Sequence, residues 1–453
     1  MLRVLVLWLQ ALPVLAATPR LPVWTSPAPD PTLPLGGYSL INTKPELIFA
    51  ATNTSGTYNH NLFLHYHPSA DRLFGYWKNA PAEEDTPGQR ILWSFRRSST
   101  NSTSSSSSSS SLDSQSKWSS PVVAFGNLST VGRETVMFGA PGITLPNGHV
   151  YIAASPGFYN RSKADVHVAQ GAQCALWPDS IDTRNCGPAE SYAVLYHSTL
   201  LLRRVYANET LGPMFWGIQP PSLFAAATAK YKIPSVKDLD DELQQDVAAL
   251  LQYRNDPDVP TNVPCGREYT KTTKCEWCAG GCQQFIEIDY SLGITNERST
   301  YTTTDGVDVL LYRGRSGSPL LASTRSVQSG PWTAVVATNI PNDASNLNTG
   351  RLSNGLRYMV HNPVTRKNTD EDEDRDPLTL TTSVDGWSWN ETGVVATCTS
   401  LPIGGCTPRF QHNVNTGPSY PQLIEIVKEG SQGVWIGFSN NKEDVWVVKI
   451  VGS

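Results

Sequence analysis

Charge is scarce in this chain of 453 residues: Asp, Glu, Lys and Arg make up 17% of it, and 40 acidic against 35 basic residues leave a formal net charge of −5. No basic block stands out, so the electrostatic footprint that a nucleic acid partner requires is missing, and none is expected. Methionine is rare, at four residues, and helical periodicity is confined to one short segment. Long apolar runs are lacking after the first 15 residues. The run that does occur, Val4 to Leu15, is broken by Gln10 and too short for a comfortable span, so no stable membrane insertion is expected. What abounds is 13 Trp, 34 Gly and 33 Pro, with many Thr and Ser. That composition favours short strands joined by turns over long helices, and its apolar content is enough to fill a large core. The fold class expected is all-β.

The amino terminus has the layout of a secretory signal. Arg3 supplies the positive region, the apolar run follows, and Val14-Leu15-Ala16-Ala17 offers small residues for cleavage, so residues 1–17 are assigned as a signal peptide and the chain as secreted and extracellular. Acceptor triplets for N-glycosylation at Asn53, Asn101, Asn127, Asn160, Asn208 and Asn390 agree with that compartment. So does cysteine usage. Cys174 with Cys186 and Cys398 with Cys406 read as small loop-closing disulfides, and Cys265, Cys275, Cys278 and Cys282 as two more of open connectivity. A four-thiolate zinc site is the rival reading of that cluster, since Cys275 and Cys278 have ligand spacing. In an oxidising compartment the disulfides are preferred, and neither metal nor cofactor is expected.

Strand-length apolar runs fill the rest. They occur at Leu47 to Ala51, Leu62 to Tyr66, Leu73 to Trp77 and Ile91 to Phe95, and continue at Glu134 to Phe138, His149 to Ala154, Tyr192 to His197 and Leu200 to Val205. A run of eight serines, Ser104 to Ser111, marks residues 98–117 as a solvated insertion in a hairpin turn. Ser235 to Tyr253 carries apolar residues at helical spacing with acidic residues in its first turns, as a helix dipole favours. With the cysteine cluster it forms a helical, Cys-rich insertion over residues 220–283. Strands resume at Gln284 to Ile288 and recur to Val445 to Ile450. Roughly four strands per 45–60 residues is the period of propeller blades, which bury one core by radial stacking.

Four segments carry residues suited to chemistry. Glu297 lies shortly before the turn Asp305-Gly306, and the strand after that turn ends at Arg313. Arg375 precedes the strand Leu378 to Thr382, which runs into Ser383-Val384-Asp385-Gly386-Trp387-Ser388-Trp389. Tyr420 follows Gly417-Pro418-Ser419 and opens a strand. Asp85 lies in the polar turn Glu83 to Gly88 between two strands, with Glu83 and Glu84 as competitors for its role.

On these residues the chain resembles the sialidase (neuraminidase) superfamily, the six-bladed propellers with Asp-box or BNR repeats. Ser383 to Trp389 looks like an Asp box shortened by one residue; Arg96-Arg97-Ser98 with Trp118 looks like a box split by the serine run, and Ser323 to Trp332 like a decayed one. The order of Glu297, Asp305-Gly306, Arg313, Arg375 and Tyr420 matches the family's pattern, and the ending Phe438 to Val445 resembles a secreted sialidase-like subgroup. The resemblance covers residues 37–450 outside the two insertions. It implies a six-bladed β-propeller in which Tyr420 is the nucleophile, Glu297 its base partner, Asp85 the acid/base, and Arg313 with Arg375 the clamp for a substrate carboxylate. One element departs: where the family has a first-blade Arg the chain reads Tyr58-Asn59-His60-Asn61, so Asn59 and His60 take that place in the substrate-binding set.

The chemistry of that set is coherent. A 2-ulosonic sugar carries a carboxylate on its anomeric carbon, which repels a carboxylate nucleophile. A neutral Tyr that loses its proton to Glu297 as it attacks avoids that repulsion, and glycosidases with a Tyr nucleophile are the exception to the two-carboxylate rule. Arginine binds the substrate carboxylate through a planar fork. The expected function is a retaining exo-glycosidase that releases a terminal acidic sugar, sialic acid or a related ulosonic or uronic sugar, from a glycan. Two rivals remain: a non-catalytic carbohydrate-binding propeller, and a polysaccharide lyase in which His60 or Tyr420 abstracts a proton from a uronate.

Overall fold

The computed structural model describes residues 20–84, 86, 88–97, 117–126, 128–130, 134–160, 193–196, 200–217, 224–255, 298–314, 318–326, 332–343, 345–364, 366–367, 373–403, 405–410, 415–428 and 431–450. They form a β-propeller. The first blade is Tyr58–His67, Arg72–Ala80, Arg90–Phe95 and Val122–Phe125, each strand antiparallel to the next. The second is built on Glu134–Thr144, Val150–Asn160, Leu201–Val205 and Phe215–Trp216, with Ala193–Tyr196 added along Val150–Asn160. Arg298–Thr302, Asp308–Tyr312, Leu321–Arg325 and Val336–Ala337 make the third. Asn348–Arg351, Arg357–His361, Leu378–Ser383 and Glu391–Ala396, with Ser39–Leu40 added in parallel, make the fourth. The fifth takes Pro418–Lys428, Ser431–Asn440 and Asp444–Ile450 from the end of the chain and Thr43–Phe49 from its beginning. The chain ends thus meet in one sheet, which removes an exposed strand edge.

Five blades, rather than the expected six, are present among the described residues. The difference falls after the second blade. Residues 224–255 there are helical, and 256–297, including the strand expected at Gln284 to Ile288 and the four clustered cysteines, lie outside the described residues. Helix α1 is Ala225–Tyr231 and α2 is Asp241–Asn255. The expected helix starts six residues later than its periodicity indicated, because Ser235 and Asp238 cap each other around a separate 3-10 turn. Asp240 then accepts from the Leu243 amide at 2.8 Å, capping α2 as an N-cap side chain does. Leu243, Val247 and Leu250 of α2 pack on Leu202 and Phe215 of the second blade. The serine-rich stretch and the Cys174 and Cys186 pair also lie outside the described residues, whereas Cys398 and Cys406 form the expected disulfide.

Between blades the alternation of each strand places apolar side chains in shared layers. Leu62, Leu64, Trp77 and Trp118 meet Trp435 and Val447, joining the first and fifth blades. Tyr358 and Leu380 meet Ile436 and Trp446 between fourth and fifth, and Tyr301 and Leu311 meet Met359 and Trp389 between third and fourth. Full burial of each Leu or Met contributes about 1.5–3 kcal/mol. The layer is tight enough that a Cβ at Gly437 would stand 2.5 Å from Leu62 Cδ2 and 2.8 Å from Leu64 Cδ1, so any larger residue there forces those leucines to shift.

The first strand of each blade lines the axis, and these inner strands are stitched together by side chains. The Leu64 amide donates to Gln422 Oε1, the Leu423 amide to Asn348 Oδ1 (2.9 Å), and the Thr349 amide to Ser299 Oγ (2.9 Å). Residues far apart in sequence therefore hold fixed places around one centre. Asn53, Asn208 and Asn390, the glycosylation acceptors whose side chains are described, are all exposed.

Candidate functional site

Two inner strands of neighbouring blades lie side by side with matching irregularities. In Tyr58–His67 the register slips between His60 and Phe63, with Asn61 at φ 59°. In Pro418–Lys428 it slips between Ser419 and Gln422, with Tyr420 at φ 55°. Such bulges turn a side chain out of the ordinary alternation of a strand, and a left-handed Tyr is rare enough to mark a site. Here Tyr420 lies within the slip and meets His60, ring centroids 4.0 Å apart.

Two guanidinium groups complete the cluster. Arg313, just past the strand Asp308–Tyr312, donates from Nη1 to Tyr420 Oη at 3.0 Å. Arg375 is buried, 2% exposed, with its guanidinium carbon 5.3 Å from the centre of the Tyr420 ring. Its position depends on neighbours that sequence reasoning passed over. Asn362 Nδ2 donates to the carbonyls of Arg375 (2.7 Å), Pro377 (3.1 Å) and Pro418 (2.9 Å), tying the Arg375 segment to the strand that bears Tyr420. Gly417, at φ 89°, lies so close that a Cβ there would be 3.0 Å from the Arg375 carbonyl carbon and oxygen, which explains why a glycine stands before Pro418.

His60 is 1% exposed, and its Nδ1 is 2.6 Å from Ser439 Oγ. Burial, reinforced by the charge of Lys442, holds its imidazole well below the usual range, so it is neutral at physiological pH. It offers the polarity of an imidazole and not the fixed positive fork of an arginine. Asn59 is directed elsewhere: Oδ1 accepts from Trp77 Nε1 (3.1 Å) and Asn79 Nδ2 (2.8 Å), and Nδ2 donates to the Gly56 carbonyl (3.3 Å), in a buried network behind His60.

A second group of charges adjoins His60. Lys78, its cross-strand partner, places Nζ 2.6 Å from Glu84 Oε1, and Lys442 Nζ stands 3.4 Å from Glu84 Oε2. Burial raises the Glu84 carboxyl, but the two ammonium groups outweigh that and hold it well below the usual carboxylate range. Glu84 is therefore an ionised partner for lysines and a poor proton donor, and Glu83 is exposed. Asp85 and Glu297 lie outside the described residues.

Of the expected site residues, the structure brings together His60, Arg313, Arg375 and Tyr420, and turns Asn59 into the packing behind them. Lys78 and Asn362 join the neighbourhood without a sequence motif to announce them, and Ser439 and Lys442 join it from the segment Phe438 to Val445, to which the sequence assigned no site role. No group of three or more metal-ligating side chains occurs among the described residues. The arrangement can hold an anion near a phenol: the arginine donating to Tyr420 Oη stabilises negative charge that develops on that oxygen.

Comparison with known proteins bears on the fold. A family model described as a BNR repeat-like domain matches residues 266–434. No curated protein sequence matches the chain. Among solved structures, one described as a sialidase aligns at TM-score 0.61 and 16% identity, covering 96% of this chain and 35% of that one. The Trypanosoma rangeli sialidase in complex with the inhibitor DANA aligns at 0.49 and 12%, covering 91% and 60%. The NanB sialidase of Streptococcus pneumoniae aligns at 0.45 and 10%, covering 92% and 71%. The chain spans about a third of the length of the first of these, and at 16% identity the likeness concerns architecture alone. The chain has the sialidase-like β-propeller fold, with a BNR repeat-like domain matched over residues 266–434.

Proposed function

We propose that this chain is a secreted retaining exo-glycosidase of the sialidase type, which releases a terminal acidic sugar, sialic acid or a related ulosonic or uronic sugar, from glycans. The observation that carries this reading is the grip of Arg313 on Tyr420 Oη, 3.0 Å, with the Arg375 guanidinium beside the same ring. In the proposed reaction the two arginines orient the substrate carboxylate. Tyr420 Oη attacks the anomeric carbon while its proton passes to Glu297, and the bond to the leaving oxygen breaks as Asp85 protonates that oxygen. Water then attacks the glycosyl–tyrosine bond, with Asp85 taking its proton and the phenol recovering a proton from Glu297. The ionised state of Glu84 supports giving the acid role to Asp85 rather than to its neighbour.

The test is release of acidic sugar from a mixed glycan pool by wild type and by Tyr420→Phe. Wild type is expected to release it. Tyr420→Phe is expected to lose activity by on the order of 100-fold or more while its melting temperature stays within about 2 °C. Undiminished release by the variant removes Tyr420 from the reaction.

A non-catalytic carbohydrate-binding propeller is the second reading, and one observation favours it: His60, a neutral imidazole, stands in the first blade where a fixed cation is expected. Binding of acidic glycans without any release would select it. The lyase reading predicts an unsaturated product that absorbs in the ultraviolet, which hydrolysis does not give.

A further inference from the structure

The first blade carries His60 where the family pattern has an arginine, and a lysine from the last blade reaches the same neighbourhood. Lys442 sits in the turn between Ser431–Asn440 and Asp444–Ile450, at φ 55°. That turn is wedged in place from two sides. On the first-blade side, the Asn59 amide donates to the Lys442 carbonyl at 2.7 Å, one residue from His60, and Ser439 of the same hairpin holds His60 Nδ1. On the Tyr420 side, the Asn441 amide donates to the Gly417 carbonyl (3.1 Å) and the Gly417 amide donates to Asn441 Oδ1 (2.7 Å), three residues from Tyr420. The Lys442 side chain is only 13% exposed. An ordinary hairpin-tip lysine extends into solvent; this one is folded inward, which costs side-chain entropy and hydration.

Its partner in the described structure does not satisfy it. Glu84 Oε2 lies at 3.4 Å, beyond a good charge-assisted hydrogen bond, while its other oxygen, Oε1, engages Lys78 at 2.6 Å. Glu84 is thus shared by Lys78 and Lys442, on the edge of a cluster whose Arg375 charge also acts on Lys442. A mostly covered cation whose carboxylate partner stands 3.4 Å away, at the rim of a cluster of guanidinium groups, is arranged for an anion that arrives from outside.

We infer that the Lys442 ammonium is a binding residue for the carboxylate of the acidic sugar, standing in for the absent first-blade arginine as the third cation of the site. The inference rests on the acidic-sugar reading above and deepens it, by assigning the recognition of charge to a residue outside the substrate-binding set that the resemblance implies. Lysine is a point charge and not a fork, so the contact adds attraction while Arg313 and Arg375 retain the planar orientation.

The test measures affinity for two probes, N-acetylneuraminic acid and its methyl ester, by titration in the nuclear magnetic resonance spectrum of the intact protein. Wild type is expected to favour the acid over the ester. Lys442→Met keeps the stem and removes the charge, and is expected to weaken acid binding at least tenfold while ester binding changes less than twofold. Lys442→Arg is expected to keep most of the preference for the acid. Glu84 retains Lys78 in every variant, and a thermal melt of each checks that the fold persists. An unchanged acid preference in Lys442→Met overturns the inference, as does a wild type that does not distinguish the probes. Release of sugar from glycans by the same wild-type sample then shows whether the broader reading survives that loss.

Discussion

Burial of single imidazoles sets how this protein responds to acid. His361 is fully buried against Trp24, ring centroids 5.6 Å apart, and burial pushes it down to about 3. Above pH about 6.5 it is neutral in both folded and unfolded chains, so its full contribution to stability is present. As pH falls from there toward 3 the unfolded chain takes up a proton that the folded one refuses, and stability is lost by up to about 1.4 kcal/mol per pH unit. His361→Gln is expected to flatten the pH dependence of unfolding free energy between pH 6 and 4 by about that slope, in urea titrations. An unaltered slope would mean that the imidazole is not held neutral by the fold. Arg313, Arg375 and Tyr420 were legible in the sequence because each sits at a fixed offset from a strand or turn signal. Asn59 and His60 were both assigned to the substrate-binding set, although consecutive residues of a strand face opposite ways. Ordinary strand alternation separates them, sending one ring toward Tyr420 and the neighbouring amide toward Trp77 and Asn79.

Among elements, the hairpin that carries the serine-rich insertion shows how a blade tolerates one. Below the insertion the strands stay paired: the Arg97 amide donates to the Lys117 carbonyl at 2.7 Å, and Arg96 bridges Trp118. Glu46, from the strand that closes the fifth blade, then accepts from Arg96 Nε (2.7 Å) and Nη2 (3.0 Å) and from Lys117 Nζ (2.9 Å). The base is locked independently of what lies beyond it. Replacing residues 98–116 by Asn-Gly, a two-residue turn suited to the pairing, is expected to move the melting temperature by less than about 3 °C. Glu46→Gln is expected to lower stability by about 1–2 kcal/mol, a moderate loss because both cations remain partly exposed. A large loss from the shortened loop with none from Glu46→Gln would contradict this account of the lock. The strands themselves were readable from alternation, and the helix from its period. Its true start was not, since Ser235 and Asp240 both look like caps and the former closes a 3-10 turn of its own.

Over the whole molecule the propeller does what no local pattern records: it makes neighbours of residues 60, 313, 375 and 420 by setting inner strands side by side around an axis. The bond from Leu423 to Asn348 and that from Thr349 to Ser299 keep those strands from sliding, so the separations in the site are fixed by the ring. The number of blades was the least legible quantity, because the segment after the second blade combines helices with residues 256–297, which lie outside the described set. Lys442 illustrates the same limit from the other direction. In sequence it belongs to an Asn-Asn-Lys turn like any solvated hairpin tip, and only closure of the last blade against the first turns it inward. The central claim is covalent chemistry at Tyr420, and it is tested most directly by mass spectrometry of the protein quenched after exposure to a 2,3-difluorinated acidic sugar that slows breakdown of a glycosyl–enzyme bond. The account predicts that the peptide containing Tyr420 gains the mass of one glycosyl residue and that Tyr420→Phe gains none. A sample that turns over glycans yet carries the label on another residue, or carries no label, would contradict it.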